Sequence, residues 1–225
     1  MLGTTAPPWR GPNRPERRAD RPVRCDLSTT GTNEEPKDPP RSGRSALLDP
    51  PPRPYGSCVK ITIRPALPTD AKALERFYSD LSEDSRHLRF FGCSRGINRS
   101  QSNSFCTPDH AHREGFVAMA SAGASAPHLI VGHLCLEPVD DSTAEVAIAV
   151  ADPYQRRGIG RRLMAAGIDW ARSVGITRLT ATMFATNVPI QRLLAGLGLA
   201  TSTGAEGVDT AVVSIDLARP LLAAA

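Results

Sequence analysis

The sequence predicts a mixed α+β domain, a mixed sheet covered by helices, preceded by a disordered tail. Three observations carry this. Composition changes near Pro54, where proline- and arginine-rich sequence gives way to segments with apolar periodicity. After that point, runs that alternate with period two are interleaved with runs at helical spacing. The strand-like runs come both singly and in hairpins, with helices between them, which suits a mixed sheet.

Residues 1–56 include "PPWRGPNRPERRADRPVR", "DPPRSGRS" and "DPPPRP". Such sequence cannot bury enough apolar surface to offset its ordering entropy, so it reads as a tail ahead of one domain, residues 57–225. In that domain "VKITIRP" is a strand with Val59, Ile61 and Ile63 on one face. Asp70 stands where a helix cap belongs, before "AKALERFYSDLS". "SEDSRHLRFFG" reads as a second helix closing at Gly92, with Phe90 and Phe91 in the core and Arg86 and Arg89 on a solvated face. The alternative for that segment is an edge that meets an acidic protein surface. Residues 93–113 are polar and irregular, with room for some helix. "FVAMA", "LIVGHLCLEP" and "AEVAIAV" are strands, the last two joined by the turn "VDDST". "IGRRLMAAGIDWARSVG" places Ile159, Leu163, Ala166, Trp170 and Val174 at helical spacing and ends at a capping glycine, Gly175. "TRLTATMF" is a strand, "PIQRLLAGLG" a short helix ending at Gly198, and "TAVVSIDL" a last strand.

Bulk properties narrow the function classes. The chain has 225 residues and a formal net charge of +4, which fits an anionic small ligand as well as nucleic acid. No nucleic-acid module or set of interleaved aromatics accompanies the charge, so a nucleic-acid partner is not expected. No window holds eighteen consecutive apolar residues, and no charged start precedes an apolar run, so neither a membrane span nor a secretory signal is expected. The five cysteines form no CxxC pair; a reduced, cytoplasmic protein is the simplest reading. "CTPDHAH" brings Cys106, His110 and His112 together, but no second Cys/His cluster completes a ligand set, so no metal is expected.

The chemistry concentrates in "AEVAIAVADPYQRRGIGRRL", Ala144 to Leu163. Alternation puts Val146, Ile148 and Val150 on one face of the strand. Glu145, Ala147, Ala149 and Ala151 take the other, a face of small side chains that lets a ligand come close. Next, "QRRGIG" directly precedes a helix. A helix N-terminus exposes unpaired N–H groups and partial positive charge, which suit phosphate. Gly158 and Gly160 let phosphate oxygens reach the backbone, and Arg156, Arg157, Arg161 and Arg162 add positive potential. A Walker A loop needs GxxxxGK[ST], which is absent. A dinucleotide fingerprint needs a third glycine where Leu163 stands, and an acidic residue that the strand "TRLTATMF" does not end on. The acyl-coenzyme A pattern [QR]xxGx[GA] is met in full by Gln155 to Gly160.

With that loop in place, residues 59–217 resemble the GNAT superfamily of N-acetyltransferases. "LSEDSRHLRFFG", "AEVAIAVADPYQRRGIGRRLM" and "FATNVPIQRLLAGLGL" are similar to the catalytic domain of bacterial protein lysine acetyltransferases. The resemblance implies the GNAT fold: a mostly antiparallel sheet, a splayed pair of parallel strands at Ala144–Val150 and Thr177–Met183, and helices on both faces. It implies acetyl-CoA as cosubstrate. Pantetheine would lie along the backbone of Ile148, Ala149 and Val150, and the pyrophosphate on Gln155, Arg156, Arg157, Gly158, Ile159, Gly160 and Arg161. Asn187 would lie close to the cofactor. Glu145 matches the family's general base, and the implied acceptor is a protein lysine, on an acyl-CoA synthetase for example. A small-molecule amine, or a non-catalytic acyl-CoA sensor, remain as alternatives. One departure is Leu194, which stands where many GNAT enzymes carry a tyrosine as general acid.

Overall fold

The computed structural model describes residues 59–92, 95–121, 128–205 and 208–220. The expected tail, residues 1–56, lies outside them. Seven strands form one sheet: β1 (Lys60–Pro65), β2 (Glu114–Ser121), β3 (Leu129–Asp140), β4 (Thr143–Val150), β5 (Arg178–Phe184), β6 (Leu199–Ala205) and β7 (Thr210–Pro220). Among the described residues the α-helices are α1 (Ala71–Ser79), α2 (Glu83–Phe90), α3 (Arg99–Cys106), α4 (Ile159–Ser173) and α5 (Val188–Ala195). Strand order is β1-β2-β3-β4-β5-β7-β6. Every neighbouring pair is antiparallel except β4 and β5.

That parallel pair is short. Thr143, Ala144 and Glu145 lie opposite Arg178, Leu179 and Thr180, and there the pairing stops. Beyond it β4 stays with β3 as far as Val150, and β5 stays with β7 as far as Phe184. The two strands therefore part after Glu145, which is the expected splay. A bulge in β3 accompanies it: Gly132 pairs with Ala118 and Ile130 with Met119, which leaves Val131 as an extra residue. Bulges increase local strand twist. The Val131 carbonyl accepts the Ala151 N–H at 2.9 Å and so fixes the end of β4.

Alternation along the strands feeds two cores. Leu134, Leu136 and Val146 meet Leu163, Met164 and Ile168 of α4 on one face, with Ile148 and Val150 packed alongside. On the other face Val117 and Ile130 meet Leu74, Phe77 and Tyr78 of α1 and Cys106 of α3. Gly167 explains how closely α4 approaches: a Cβ there would lie 3.0 Å from Leu134 Cδ2. The glycine costs the helix about 1 kcal/mol in propensity and permits tight packing in return. Among the described residues, no helix is long and apolar enough to cross a membrane.

Several local expectations change. Asp70 does not cap α1 with its side chain. Its own backbone is helical, and its carboxylate is drawn to Arg64 at 2.7 and 2.8 Å and to the Leu67 N–H at 2.8 Å. Phe90 does pack in the core against Tyr78, with ring centres 5.3 Å apart. Phe91 does not: it ends α2 at φ 57° and is 41% exposed. Neither arginine of α2 lies on a solvated face, because Arg86 donates to the carbonyls of Ser79 and Leu81 and Arg89 turns inward to Cys135. Strand β6 was not expected, since "LATSTGA" has no apolar alternation; it is held as an edge strand by β7.

Candidate active site

The site begins at the point where β4 and β5 part. Glu145 sits on the last paired rung and is half-buried. Its Oε1 accepts a 3.4 Å hydrogen bond from the Thr182 hydroxyl of β5. Period two puts Thr180, Thr182 and Phe184 on one face of that strand. Helix α2 packs against both β4 and β5 and walls the opening. Its His87 stacks on Phe184 with ring centres 4.8 Å apart, and Phe91 lies 5.2 Å from the same ring. The result is a carboxylate at the fork between β4 and β5, with a cluster of three rings where α2 meets the end of β5.

The neighbouring strand sets the electrostatics. Across the ladder Glu145 faces Glu137, Ala147 faces Cys135 and Ala149 faces His133. Glu137 is buried and neutralised by Arg113, whose Nε and Nη2 donate at 2.6 and 2.9 Å. Arg89 reaches in from α2. Its Nη2 lies 3.6 Å from Cys135 Sγ, and its guanidinium sits over the Phe90 and Tyr78 rings at 5.2 and 5.9 Å. Its charge acts on both Cys135 and Glu145. The residue as a whole is only half-buried, yet its Nε is sealed from solvent and has no partner among the described residues.

Beneath this lies a fully buried pair, Tyr78 and His133, with the hydroxyl 2.9 Å from Nδ1. Burial, aided by the Arg89 cation, lowers the His133 pKa to about 3, and burial pushes the Tyr78 phenol up to about 12. The imidazole is therefore neutral and shares one hydrogen bond with the phenol through Nδ1. The unfolded chain binds a proton at this histidine near pH 6.5, which the folded chain refuses until about pH 3. Stability from this group is complete above pH 6.5 and falls with acid, by about 2–3 kcal/mol at about pH 4.5. Urea titrations between about pH 7 and about pH 4.5 should show this slope, and His133→Gln should remove about one proton of it. An unchanged slope in the variant would refute the assignment.

At the far end of β4 the chain turns through a 3-10 segment, Asp152–Tyr154, into the glycine loop. Arg156 (φ 57°) and Gly158 (φ 76°) adopt left-handed backbone and reverse the chain into α4. The first bond of that helix runs from the Arg162 N–H to the Gly158 carbonyl at 3.1 Å. The amides of Ile159, Gly160 and Arg161 precede it and have no intrahelical acceptor. They form the positive end of a 15-residue helix. A Cβ on Gly158 would meet nothing within 4 Å, so the loop is open there. These features fit a pyrophosphate. Arg157 lies over the Tyr154 ring at 5.5 Å, and Arg162 donates to the Ile61 carbonyl at 3.0 Å.

The expected cofactor residues Ile148–Val150 and Gln155–Arg161 lie on either side of the 3-10 segment, with Glu145 near the other end of the same strand. Asn187 begins α5, where its Oδ1 accepts the Ile190 N–H at 3.3 Å. Leu194 is buried in the core. The residues of "CTPDHAH" do not converge. Cys106 is fully buried, while His110 pairs with Glu114 at 2.8 Å and His112 with Asp109 at 3.5 Å. Thr182 had no signal in the sequence, because only the tertiary fold brings it to Glu145, and Arg89, expected on a solvated face or an acidic-surface edge, turns to Cys135 instead. Equally silent was the contact of Asp152 with Ser82 and Ser85, some seventy positions away.

The profile of the acetyltransferase (GNAT) family matches residues 74–199, more than half of the chain. The chain belongs to the GNAT acetyltransferase family. The matched span runs from α1 to the start of β6 and takes in Glu145, the glycine loop and Asn187. Among GNAT relatives, acetyltransferase Pat of Mycolicibacterium smegmatis is 31% identical over 136 residues, which is 60% of this chain and 40% of that protein. The chain therefore spans about two fifths of the length of that curated relative. The crystal structure of the GNAT domain of S. lividans PAT aligns with a TM-score of 0.59 at 23% identity, covering 68% of this chain and 89% of that one. YncA from Salmonella typhimurium, solved with its cofactor acetyl-CoA, aligns with a TM-score of 0.54 at 19% identity, covering 73% and 96%. At these identities the two structures show a shared GNAT fold.

Proposed function

We propose that residues 57–225 are an acetyl-CoA-dependent N-acetyltransferase that modifies a lysine ε-amine of an acceptor protein, with Glu145 as general base. The observation that carries this reading is the half-buried carboxylate at the fork between β4 and β5. Lysine has a pKa of about 10.4, so presenting the free amine at pH 7 costs about 4–5 kcal/mol. Glu145 accepts that proton, directly or through water. When bound, acetyl-CoA supplies an acetyl group activated as a thioester. The backbone of Ile148, Ala149 and Val150 holds its extended arm as an additional strand would be held. Gln155, Arg156, Arg157, Gly158, Ile159, Gly160 and Arg161 bind the pyrophosphate through amides, helix dipole and charge. A backbone amide near Ala149 would stabilise negative charge on the acyl oxygen, and Asn187, which caps α5, would border the cofactor. Leu194 offers no proton, and little is needed, because the leaving thiol has a pKa around 8.5. The buried free thiols Cys106 and Cys135 suit a reducing, cytoplasmic setting.

The similarity of the site segments to bacterial protein lysine acetyltransferases favours an acyl-CoA synthetase as acceptor. Intact mass of an acetyl-CoA synthetase, after incubation with this protein and acetyl-CoA, tests it. One added acetyl group is expected with the wild type, and only a small fraction of it in the same time with Glu145→Gln. No gain with a wild type that binds acetyl-CoA would reject this acceptor. Equal gain with the variant would reject the base.

A further inference from the structure

Helix α2 forms a wall of the site, yet none of its residues is fully buried. Eight polar-rich residues do not hold a helix on their own. Its C-terminal end leans on rings, Phe90 on Tyr78 and Phe91 on Phe184. Its N-terminal end is held by a single carboxylate from the segment between β4 and the glycine loop. Asp152 Oδ2 accepts the Ser82 N–H at 3.0 Å, and Oδ1 accepts the hydroxyls of Ser82 and Ser85, each at 2.7 Å. Ser82 is itself the N-cap of α2, accepting the Ser85 N–H at 3.1 Å. Gln155, the first residue of the loop, adds a bond from its Nε2 to the Ser85 hydroxyl at 3.2 Å, and another to the Val150 carbonyl at 3.1 Å. Burial would raise the Asp152 pKa, but these donors outweigh it and hold the carboxyl below its usual range, so the clamp stays charged at neutral pH. A carboxylate at this end of a helix is also favoured by the helix dipole.

We propose that Asp152 is a positioning residue that ties the acceptor-side wall to the cofactor loop, so that binding acetyl-CoA sets the place of α2. Gln155 and Val150 belong to the segment assigned to the cofactor, and both connect to Ser85 or its partner within one or two hydrogen bonds. Fixing the loop therefore fixes the N-terminus of α2, and with it His87 and Phe91 against Phe184 of β5. The acceptor part of this inference rests on the acetyl-transfer reading; the coupling between loop and helix does not.

Hydrogen exchange of the amides of residues 83–90, measured with and without acetyl-CoA, tests the coupling, and steady-state kinetics with the acceptor protein test its consequence. Acetyl-CoA should slow exchange across α2 in the wild type and not in Asp152→Ala. The variant should bind acetyl-CoA within threefold of wild type while its acceptor KM rises tenfold or more. Ser85→Ala keeps the Ser82 bonds and therefore the fold; it should show a smaller rise, and Ser85→Thr should reverse it. The proposal is overturned if acetyl-CoA leaves α2 exchange unchanged in the wild type. It is equally overturned if Asp152→Ala retains both the protection and the acceptor KM. An active Glu145→Gln enzyme with α2 still protected would sink the base assignment and leave the coupling standing.

Discussion

Glu145→Gln is expected to lower kcat about 10²–10³-fold near neutral pH, within the range by which a positioned general base accelerates a reaction. Acetyl-CoA affinity should stay within threefold. The substitution is nearly isosteric. An amide oxygen at the same place still accepts the Thr182 hydroxyl, now 3.4 Å from Oε1, so the fork keeps its shape. What disappears is the capacity to take a proton. The variant must then wait for amine that is already neutral in solution, and that fraction grows about tenfold per pH unit below the lysine pKa of about 10.4. Its rate should therefore climb with pH, and its deficit against wild type should narrow toward alkaline conditions. Rate profiles of both enzymes at saturating acetyl-CoA decide the matter. Parallel profiles, or a variant as fast as wild type at neutral pH, would remove Glu145 from the chemistry.

Gly158→Asp should raise the acetyl-CoA Kd a hundredfold or more while changing fold stability by only about 1 kcal/mol. The residue has φ 76° and open space where a Cβ would stand. An L-residue in this conformation costs about 1–2 kcal/mol, and aspartate tolerates it better than most. Its carboxylate would also lie at the positive end of α4, an interaction worth about 0.3–1 kcal/mol to the helix. The same charge occupies the ground assigned to phosphate and repels it. Stability and affinity should thus separate, which titration calorimetry and thermal unfolding on the same sample will show. A variant that binds acetyl-CoA normally would place the pyrophosphate elsewhere.

Much of this architecture is written locally. The alternation in "AEVAIAV" divides β4 into a valine–isoleucine face and an alanine face, and the glycine loop announces the start of α4. Gly175, at φ 86°, lies just past its end. The signals that failed were those in which tertiary partners override local preference. Asp70 looks like a cap, but an arginine across a turn competes for its carboxylate. Phe90 and Phe91 are indistinguishable in sequence, yet a left-handed turn sends one inward and the other to the rim. Strand β6 has no pattern of its own and exists because β7 offers it an edge. At the site, the carboxylate and the loop were legible as motifs. Thr182, Arg89 and the Asp152 clamp were not, because each acts across a long sequence separation that no periodicity records.

The parting of β4 and β5 also bears on how the molecule behaves in a crowded solution. Beyond Glu145, two strands in the middle of the sheet turn toward each other sides that form no ladder. Unladdered margins are templates on which foreign chains can zip, and proteins ordinarily shield them. On the reading proposed above, an extended ligand arm laid along β4 would cover these margins, so the empty protein is expected to associate more readily than the filled one.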